Sequence, residues 1–202
     1  MDDSYFVIQA ESRAEIKVKN SRFIGETFLT ENLTEVSARL EAVRKREHAA
    51  SHHCYAWQIG TLGEKSFKYS DDGEPSGTAG KPMYDVLLGS GVTNALLVVT
   101  RYFGGTKLGT GGLTRAYSDA AQQVMQVSGR VEKFITVQFA LRMEFHHYDK
   151  WLKLQQKLGA SVLKTDFSDD VSAHVSIRKS RAEELLAVFT ELTAGKGHIE
   201  KF

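Results

Sequence analysis

The residues best suited to chemistry lie in two glycine-punctuated loops in the middle of the chain. The first loop has the sequence DDGEPSGTAG and begins at Asp71, and its three carboxylates suit cation binding or proton transfer. The second has the sequence GGTKLGTGG, begins at Gly104 and carries Lys107. Both proline residues of the chain also fall here, in or just after the first loop. The two loops predict a cleft between them that binds a charged ligand.

The glycine-rich loop at Gly104 predicts an anion site. The apolar run Ala95–Thr100 before it predicts a buried strand, and helical spacing after it predicts a helix that begins near Leu113. A strand, glycine loop and helix in this order present backbone N–H groups to an anion. Arg115 would lie in the first helical turn, where a cation opposes the helix dipole unless an anion is shared. The predicted anion or phosphate site comprises Arg101, Gly104, Gly105, Lys107, Gly109, Gly111, Gly112 and Arg115.

The alternative for this loop is that its glycines serve only tight turns and close packing. The sequence matches neither the dinucleotide-binding G-x-G-x-x-G pattern nor the P-loop with its Lys-Ser/Thr ending. The anion-site prediction therefore depends on the combination of the loop with its neighbouring cations.

The acidic loop has three possible roles. Its carboxylates could bind a divalent cation, act as general bases, or shape the turn and pair with Arg101, Lys107 or Arg115. We favour the turn and the ion pairs, and we predict neither a metal nor a cofactor. The residues predicted to line the cleft are His52, Asp71, Asp72, Glu74, Thr78 and Lys81.

Neighbouring His52, His53 and Cys54 resemble metal ligands, but their spacing disfavours a zinc site. Successive residues of a strand point to opposite faces, and the sequence offers no second cysteine. We expect Cys54 to be a small buried hydrophobe. His52 remains a candidate because the strand that it opens could run beside the strand that leads into the glycine-rich loop.

The elements that must position these loops follow from periodicity and turn signals. A capping box of Asn32 and Glu35 predicts a helix start, and Gly80-Lys81-Pro82 predicts another. The helix after the glycine-rich loop should end near Val127. The predicted strands before the acidic loop are Ile16–Val18, Arg22–Leu29, His53–Ile59 and Lys65–Tyr69, the last two joined by a turn over Gly60–Gly63.

The segment after Gly129 has its own pattern, in the order β-α-β-β-α-β. That order predicts a ferredoxin-like domain, with Ser180 and Glu183 as the capping box of its second helix. Trp151 lies on the apolar stripe of the first helix and is expected in the core. We therefore place a domain boundary near Gly129 and predict domains over residues 1–130 and 131–202.

Composition excludes several classes of protein. The 202 residues have a formal net charge of +1, so no global basic field attracts nucleic acid or an anionic membrane. No apolar run approaches the roughly 20 residues needed to span a bilayer. The first residues lack the layout of a signal peptide, and the single cysteine excludes an intrachain disulfide. We expect a cytoplasmic protein that does not bind membranes.

The segment from Tyr69 to Tyr117 resembles the IMPACT family, and in particular its bacterial, YigZ-like branch. The resemblance is carried by YSDDGEPSGTAGKP followed by VVTRYFGGTKLGTGGLTRAY, and it extends more weakly to the rest of the chain. It implies an α+β protein: an N-terminal domain of the ribosomal-protein type, with helices on one face of a mixed sheet, and a ferredoxin-like domain similar to a late domain of elongation factor G. It also implies a link to translation.

Two functional hypotheses of different classes follow. The first is a non-enzymatic, translation-associated regulatory protein whose glycine-rich loop binds the phosphate groups of RNA, the ribosome or a nucleotide, with a protein partner in translation as a further expectation. The second is an enzyme for a phosphorylated or carboxylated small molecule, with the acidic loop as base or metal site. The sequence lacks a complete phosphoryl-transfer set or a nucleophile–base pair, which favours the first. A third hypothesis is a protein-interaction module whose loops are structural.

Overall fold

The chain forms two compact units, each with its own apolar core. The structure is a computed structural model and describes residues 3–61, 63 and 65–202. One unit spans residues 5–133, and the other spans residues 134–202 together with residues 3 and 4. None of the described helices is both long and apolar enough to cross a membrane.

The first unit is built around a five-stranded sheet. Its elements in chain order are β1 (Ser4–Ile8), β2 (Ser12–Val18), β3 (Ser21–Leu29), α1 (Leu33–Arg46), β4 (His52–Ile59), β5 (Ser66–Ser70), α2 (Gly80–Gly89), β6 (Ala95–Tyr102), α3 (Gly109–Ser128) and β7 (Arg130–Phe134). The sheet has the strand order β2-β3-β6-β4-β5, and a separate two-stranded sheet contains β1 and β7. The predicted Gly60–Gly63 turn includes Leu62, which lies outside the described residues.

Strand β6 is the centre of this sheet because its side chains are apolar on both faces. Leu97 and Val99 pack with helices α2 and α3, whereas Leu96 and Val98 pack with α1 on the opposite face. The α+β class is confirmed, but two details of the expected architecture are corrected. Helices cover both faces of the sheet, and each pairing between its described strands is antiparallel rather than mixed. A continuous apolar strand needs a cover on each face, which explains the position of α1.

The helix after the glycine-rich loop begins earlier than the sequence predicted. Helix α3 starts at Gly109, not near Leu113, so three glycines lie within its first four residues. The apolar periodicity starts at Leu113 because the first turn projects from the core and carries no buried side chain. Arg115 consequently lies in the second turn, and the predicted conflict between its charge and the helix dipole is wrong.

The second unit is a four-stranded antiparallel sheet with two helices. Its elements are β8 (Thr136–Met143), α4 (Phe145–Leu158), β9 (Ser161–Phe167), β10 (Val171–Arg178), α5 (Ala182–Leu192) and β11 (His198–Lys201). The strand order β11-β8-β10-β9 is the ferredoxin-like arrangement that the sequence predicted. Trp151 is fully buried, as expected. The capping box at Ser180 is wrong, because a 3-10 turn precedes α5 and the Ser180 amide donates to Asp3 instead.

Candidate functional site

The acidic loop and the start of α3 border a cleft of about 370 Å³ in the first unit. Strand β6 delivers Arg101 to its wall, and the connection from β6 to α3 supplies an aromatic ring, a lysine and backbone amides. The lining residues are Glu74, Pro75, Arg101, Phe103, Lys107, Leu108, Gly109, Thr110 and Leu113. The cleft therefore combines one ion pair, one further cation and an apolar wall.

The polar wall of the cleft is a buried hydrogen-bonded group around Glu74. The Arg101 Nη1 donates to Glu74 Oε1 over 2.6 Å, and the Tyr117 hydroxyl donates to the same oxygen over 2.8 Å. Burial, together with neighbouring Cys54 and Glu74, raises the pKa of the Tyr117 phenol, so Tyr117 remains a donor. Glu74 is thus fixed by two donors that come from strand β6 and helix α3.

Arg101 is unusual because its guanidinium is buried although one of its N–H groups lacks a hydrogen-bond acceptor in the part of the chain that the structure describes. Its Nε has no hydrogen-bond partner among the described residues, and its Nη2 is 3.5 Å from the Ser21 hydroxyl. The guanidinium carbon lies 5.4 Å from the ring centroids of both Phe23 and Phe103. Cation–aromatic contacts stabilise a buried guanidinium but do not replace a missing acceptor.

The N-terminus of α3 also belongs to the lining of the cleft, through Leu108, Gly109 and Thr110. Helix geometry leaves the amides of Leu108, Gly109, Thr110 and Gly111 without partners inside the helix. No side chain caps this terminus, and its first turn carries no acidic residue. Lys107 directly precedes it and is exposed. These amides, the positive end of the helix dipole and Lys107 together favour an anion.

The glycines of the loop have different roles. Gly104 packs against the β2–β3 turn so closely that a Cβ would lie 2.0 Å from the Asn20 backbone, and its amide donates to the Ser21 hydroxyl. Its predicted role in anion binding is therefore corrected, because its donor is already used. Gly105 and Gly109 have φ values of 83° and 73°, which favour glycine, and neither meets another atom where a Cβ would stand.

The other two carboxylates of the acidic loop serve the protein's own structure. Asp71 accepts hydrogen bonds from the amides of Gly77, Ala79 and Gly80, so it caps the start of α2 from a distance. Burial acts to raise the pKa of Asp71, but these backbone donors outweigh it and lower the pKa below its ordinary value. Asp72 accepts from the His53 amide and pairs with Arg44. This arrangement agrees with the interpretation that the acidic loop shapes its own turn and forms ion pairs. The partner of Asp72 is Arg44, however, rather than Lys107.

His52 stands beside Glu74, as the predicted strand pairing implied. Strand β4 runs antiparallel to β6, with His52 opposite Arg101. The His52 Nδ1 is 2.8 Å from the Asp72 carbonyl oxygen, which can only accept, so Nδ1 carries the proton. The Nε2 faces Glu74 Oε1 at 3.9 Å.

Cys54 is fully buried, and its thiol donates to the Asp71 carbonyl oxygen. Burial raises the pKa of Cys54 to about 12, so the thiol stays protonated. The prediction that it is a buried hydrophobe is confirmed, and a thiolate nucleophile is excluded at neutral pH.

Four of the fourteen predicted site residues belong to the cleft lining, namely Glu74, Arg101, Lys107 and Gly109. Thr78, Lys81 and Arg115 are among the ten that do not. Thr78 donates to the Pro75 carbonyl oxygen within its own turn, and Lys81 pairs with Asp85 one helical turn later. Arg115 is exposed and follows Leu113 by two residues, which places it roughly 200° further around α3, away from the cleft. A larger groove of about 530 Å³ lies between α2 and α3, and its lining includes none of the predicted site residues.

Among the described residues, no group of three or more His, Cys, Asp or Glu side chains is arranged to hold a metal ion. The three carboxylates of the acidic loop point at different partners, namely backbone amides, Arg44 and Arg101. The loop therefore offers no shared coordination centre in the part of the chain that the structure describes.

Sequence reasoning missed several residues of the cleft. The Tyr117 hydroxyl reaches Glu74 in the polar wall, and a buried phenol usually finds a hydrogen-bond partner, so its position in the helix was a usable signal. Phe103 directly follows the buried strand and precedes the glycines, so an aromatic ring at that edge could also have been noted. Pro75, Leu108, Thr110 and Leu113 carry no signal of their own.

The fold and the cleft define a two-unit α+β protein with a candidate anion-binding site in its first unit. Residues 19–125 match the family model of the Impact N-terminal domain, which covers more than half of the chain. The chain belongs to the IMPACT family. It is 32% identical to IMPACT family member YigZ of Escherichia coli over 96% of this chain and 95% of that protein.

Further similarities extend over nearly the whole chain. IMPACT family member YvyE of Bacillus subtilis is 34% identical, over 98% of this chain and 91% of that protein. A crystal structure described as that of a hypothetical protein is 32% identical and has a TM-score of 0.71, with 98% of this chain and 97% of that one covered. Both the family and the two-unit fold are therefore shared with known proteins.

Proposed function

We propose that this protein is a non-enzymatic, translation-associated regulator that binds a phosphate-bearing ligand, either RNA, the ribosome or a nucleotide, in the cleft at the start of α3. The observation that carries the proposal is the uncapped N-terminus of α3, which opens into the cleft beside Lys107. Membership of the IMPACT family supports the link to translation.

The anion would be held by the end of the helix more than by side chains. Amides of residues 108–111 supply directed donors, and Lys107 supplies a charge. Arg101 contributes the wall but is already paired with Glu74 over 2.6 Å. Arg115, one of the residues that the sequence placed in the anion site, lies on another side of the helix. We therefore assign the main side-chain contact to Lys107.

The enzymatic alternative finds less support in the acidic loop. Both Asp71 and Asp72 are used as acceptors by amides and by Arg44, and Glu74 accepts from Arg101 and Tyr117. A general base needs a free oxygen, which Asp71 and Asp72 lack, and the charge of Glu74 is compensated by Arg101. A metal needs converging ligands, which the loop does not offer among the described residues. We accordingly propose binding rather than catalysis.

Titration calorimetry with inorganic phosphate and with a 5′-phosphorylated single-stranded RNA tests the proposal. We expect Lys107→Ala to weaken binding about tenfold or more, because a charged hydrogen bond contributes about 1.5–3 kcal/mol. Lys17→Ala removes an exposed lysine of β2 and serves as the control, and Arg115→Ala should also change little. Failure of all these ligands to bind, or equal binding by Lys107→Ala and the parent, would overturn the proposal.

A further inference from the structure

We propose that the cleft accepts a single nucleotide unit, with its phosphate at the N-terminus of α3, its base on Phe103 and its sugar hydroxyls near Glu74. This inference rests on the proposed function and narrows its ligand class. The cleft has three chemically different parts, and a nucleotide is the phosphate compound that uses all three.

The phosphate end is supported by two independent observations. The first is the uncapped start of α3 beside Lys107. The second is Arg101, which is 95% buried, lines the same cleft and leaves its Nε without a partner among the described residues. Unsatisfied buried donors are rare in native structures, and one in the wall of a cleft indicates that a further acceptor belongs there.

The aromatic part of the cleft is Phe103. Its side chain is 48% exposed although it lines the cleft, and Arg101 stacks its guanidinium at 5.4 Å from the ring centroid. Pro75, Leu108 and Leu113 extend the apolar wall. An exposed ring beside a phosphate site is the arrangement on which nucleic-acid bases stack.

The polar part is Glu74, which is held by Arg101 and Tyr117 through one carboxylate oxygen, Oε1. A carboxylate is an acceptor for the hydroxyl groups of a ribose. Arg101 lies 2.6 Å from Glu74 and compensates the negative charge of Glu74, which limits the repulsion between Glu74 and a phosphate elsewhere in the cleft.

The size of the cleft limits the ligand. Its volume of about 370 Å³ is near the lower end of the range of roughly 300–1,000 Å³ for small-molecule sites. That volume suits one nucleotide and not a chain of several. A bare phosphate or a sugar phosphate would leave Phe103 without a contact.

Calorimetric titration of the full chain with inorganic phosphate, ribose 5-phosphate and AMP tests the inference. We expect AMP to bind about tenfold more tightly than ribose 5-phosphate, because of stacking on Phe103. Phe103→Leu should abolish the preference, so that AMP and ribose 5-phosphate bind this variant with similar affinity. Phe103→Tyr keeps the ring and should keep the preference. Phe67→Leu, an exposed ring of β5 outside the cleft lining, is the matched control.

The outcomes separate this inference from the function on which it rests. If phosphate and ribose 5-phosphate bind and respond to Lys107→Ala, but AMP binds no better than ribose 5-phosphate, the nucleotide inference is overturned and the proposed function stands. If AMP binds better but Phe103→Leu retains the preference, the base does not stack there and the inference is also overturned. If none of the three binds, the nucleotide inference is overturned, and the titration with the 5′-phosphorylated RNA decides the proposed function.

Discussion

Glu74 and Arg101 form an ion pair of 2.6 Å in which both side chains are nearly inaccessible, with 4% and 6% of their surfaces exposed. The pair joins the acidic loop to the central strand β6, so it fixes one wall of the cleft to the most buried strand of the sheet. Two charges at such depth require each other, because an unpaired buried charge is strongly destabilising.

Replacing Arg101 alone should lower the free energy of unfolding more than replacing Arg101 and Glu74 together. We expect Arg101→Met to lower the free energy of unfolding by about 3–5 kcal/mol, because Glu74 would remain buried with only Tyr117 as a donor. The double variant Glu74→Gln with Arg101→Met should recover part of that loss. Urea unfolding of the single and double variants measures the coupling between the two residues.

The control for this cycle is Arg39→Met, which breaks the exposed pair of Arg39 with Glu11. Exposed ion pairs contribute little, so this variant should unfold close to the parent. Equal losses for Arg101→Met and Arg39→Met, or strict additivity in the double variant, would contradict the importance of the buried pair.

Asp71 should make the stability of the first unit depend on acid. Its pKa is lowered in the folded state, because three backbone donors outweigh the effect of burial. The contribution of Asp71 to the free energy of unfolding is therefore complete above its ordinary pKa of about 3.8. That contribution disappears as the pH falls through the lower pKa that Asp71 has in the folded protein. We expect Asp71→Asn to cost about 1–2 kcal/mol at pH 7, and less as the pH falls below about 4.

Urea unfolding at a series of pH values from neutral to acid measures this dependence. Asp119→Asn removes an exposed carboxylate of α3 and is the control, for which we expect a small and nearly constant difference. A difference between Asp71→Asn and the parent that grows in acid would have the wrong sign and would exclude the capping role of Asp71.

The site was predictable where local pattern and tertiary contact coincide. The run ALLVVT predicted the strand that leads to Arg101. The sequence also allowed this strand to lie beside the one that His52 opens, and the two strands do pair. The two loops that border the cleft were identified from glycine and charge alone. Ion pairing of the acidic loop with Arg101 was one of the interpretations that the sequence allowed.

The rest depends on contacts that no local pattern records. The start of α3 was misplaced because apolar periodicity reports the buried face, whereas Gly109 to Gly112 form a turn with no apolar side chain. The same error put Arg115 at the helix terminus. Gly104 looked like a loop glycine, and only the approach of the Asn20 backbone shows why no side chain fits there. Tyr117 reaches Glu74 across 43 positions of sequence.

The predicted division into two domains can be tested with the two tryptophans of the chain, since each unit holds one. Trp57 belongs to the first unit and Trp151 to the second, and both are buried. The units have separate apolar cores. Trp151→Phe keeps only Trp57 and reports on the first unit, whereas Trp57→Phe keeps only Trp151 and reports on the second. We expect the fluorescence of the two variants to change at different urea concentrations. If both variants unfold at the same urea concentration, each with an m-value that corresponds to unfolding of the whole chain, the two units form a single cooperative unit and the predicted division is contradicted.

Two glycines of the same loop should respond to alanine in opposite directions. At Gly104 the new Cβ would lie 2.0 Å from the Asn20 backbone and would force the β6–α3 connection away, so we expect Gly104→Ala to lower the free energy of unfolding by about 1–3 kcal/mol. At Gly111 no atom lies within 4 Å of the new Cβ, and the residue is helical. Alanine there should stabilise the first unit by about 0.5–1 kcal/mol, because glycine loses more backbone entropy on folding.

Urea unfolding followed by Trp57 fluorescence compares these two variants in the unit that contains both. Gly105→Ala is the matched intermediate case, because its position is open but its φ of 83° strains any other residue. We expect stability to rise in the order Gly104→Ala, Gly105→Ala, Gly111→Ala. If Gly104→Ala proves as stable as Gly111→Ala, the close packing of the loop against Asn20 does not hold in solution, and the position of the cleft wall would have to be revised with it.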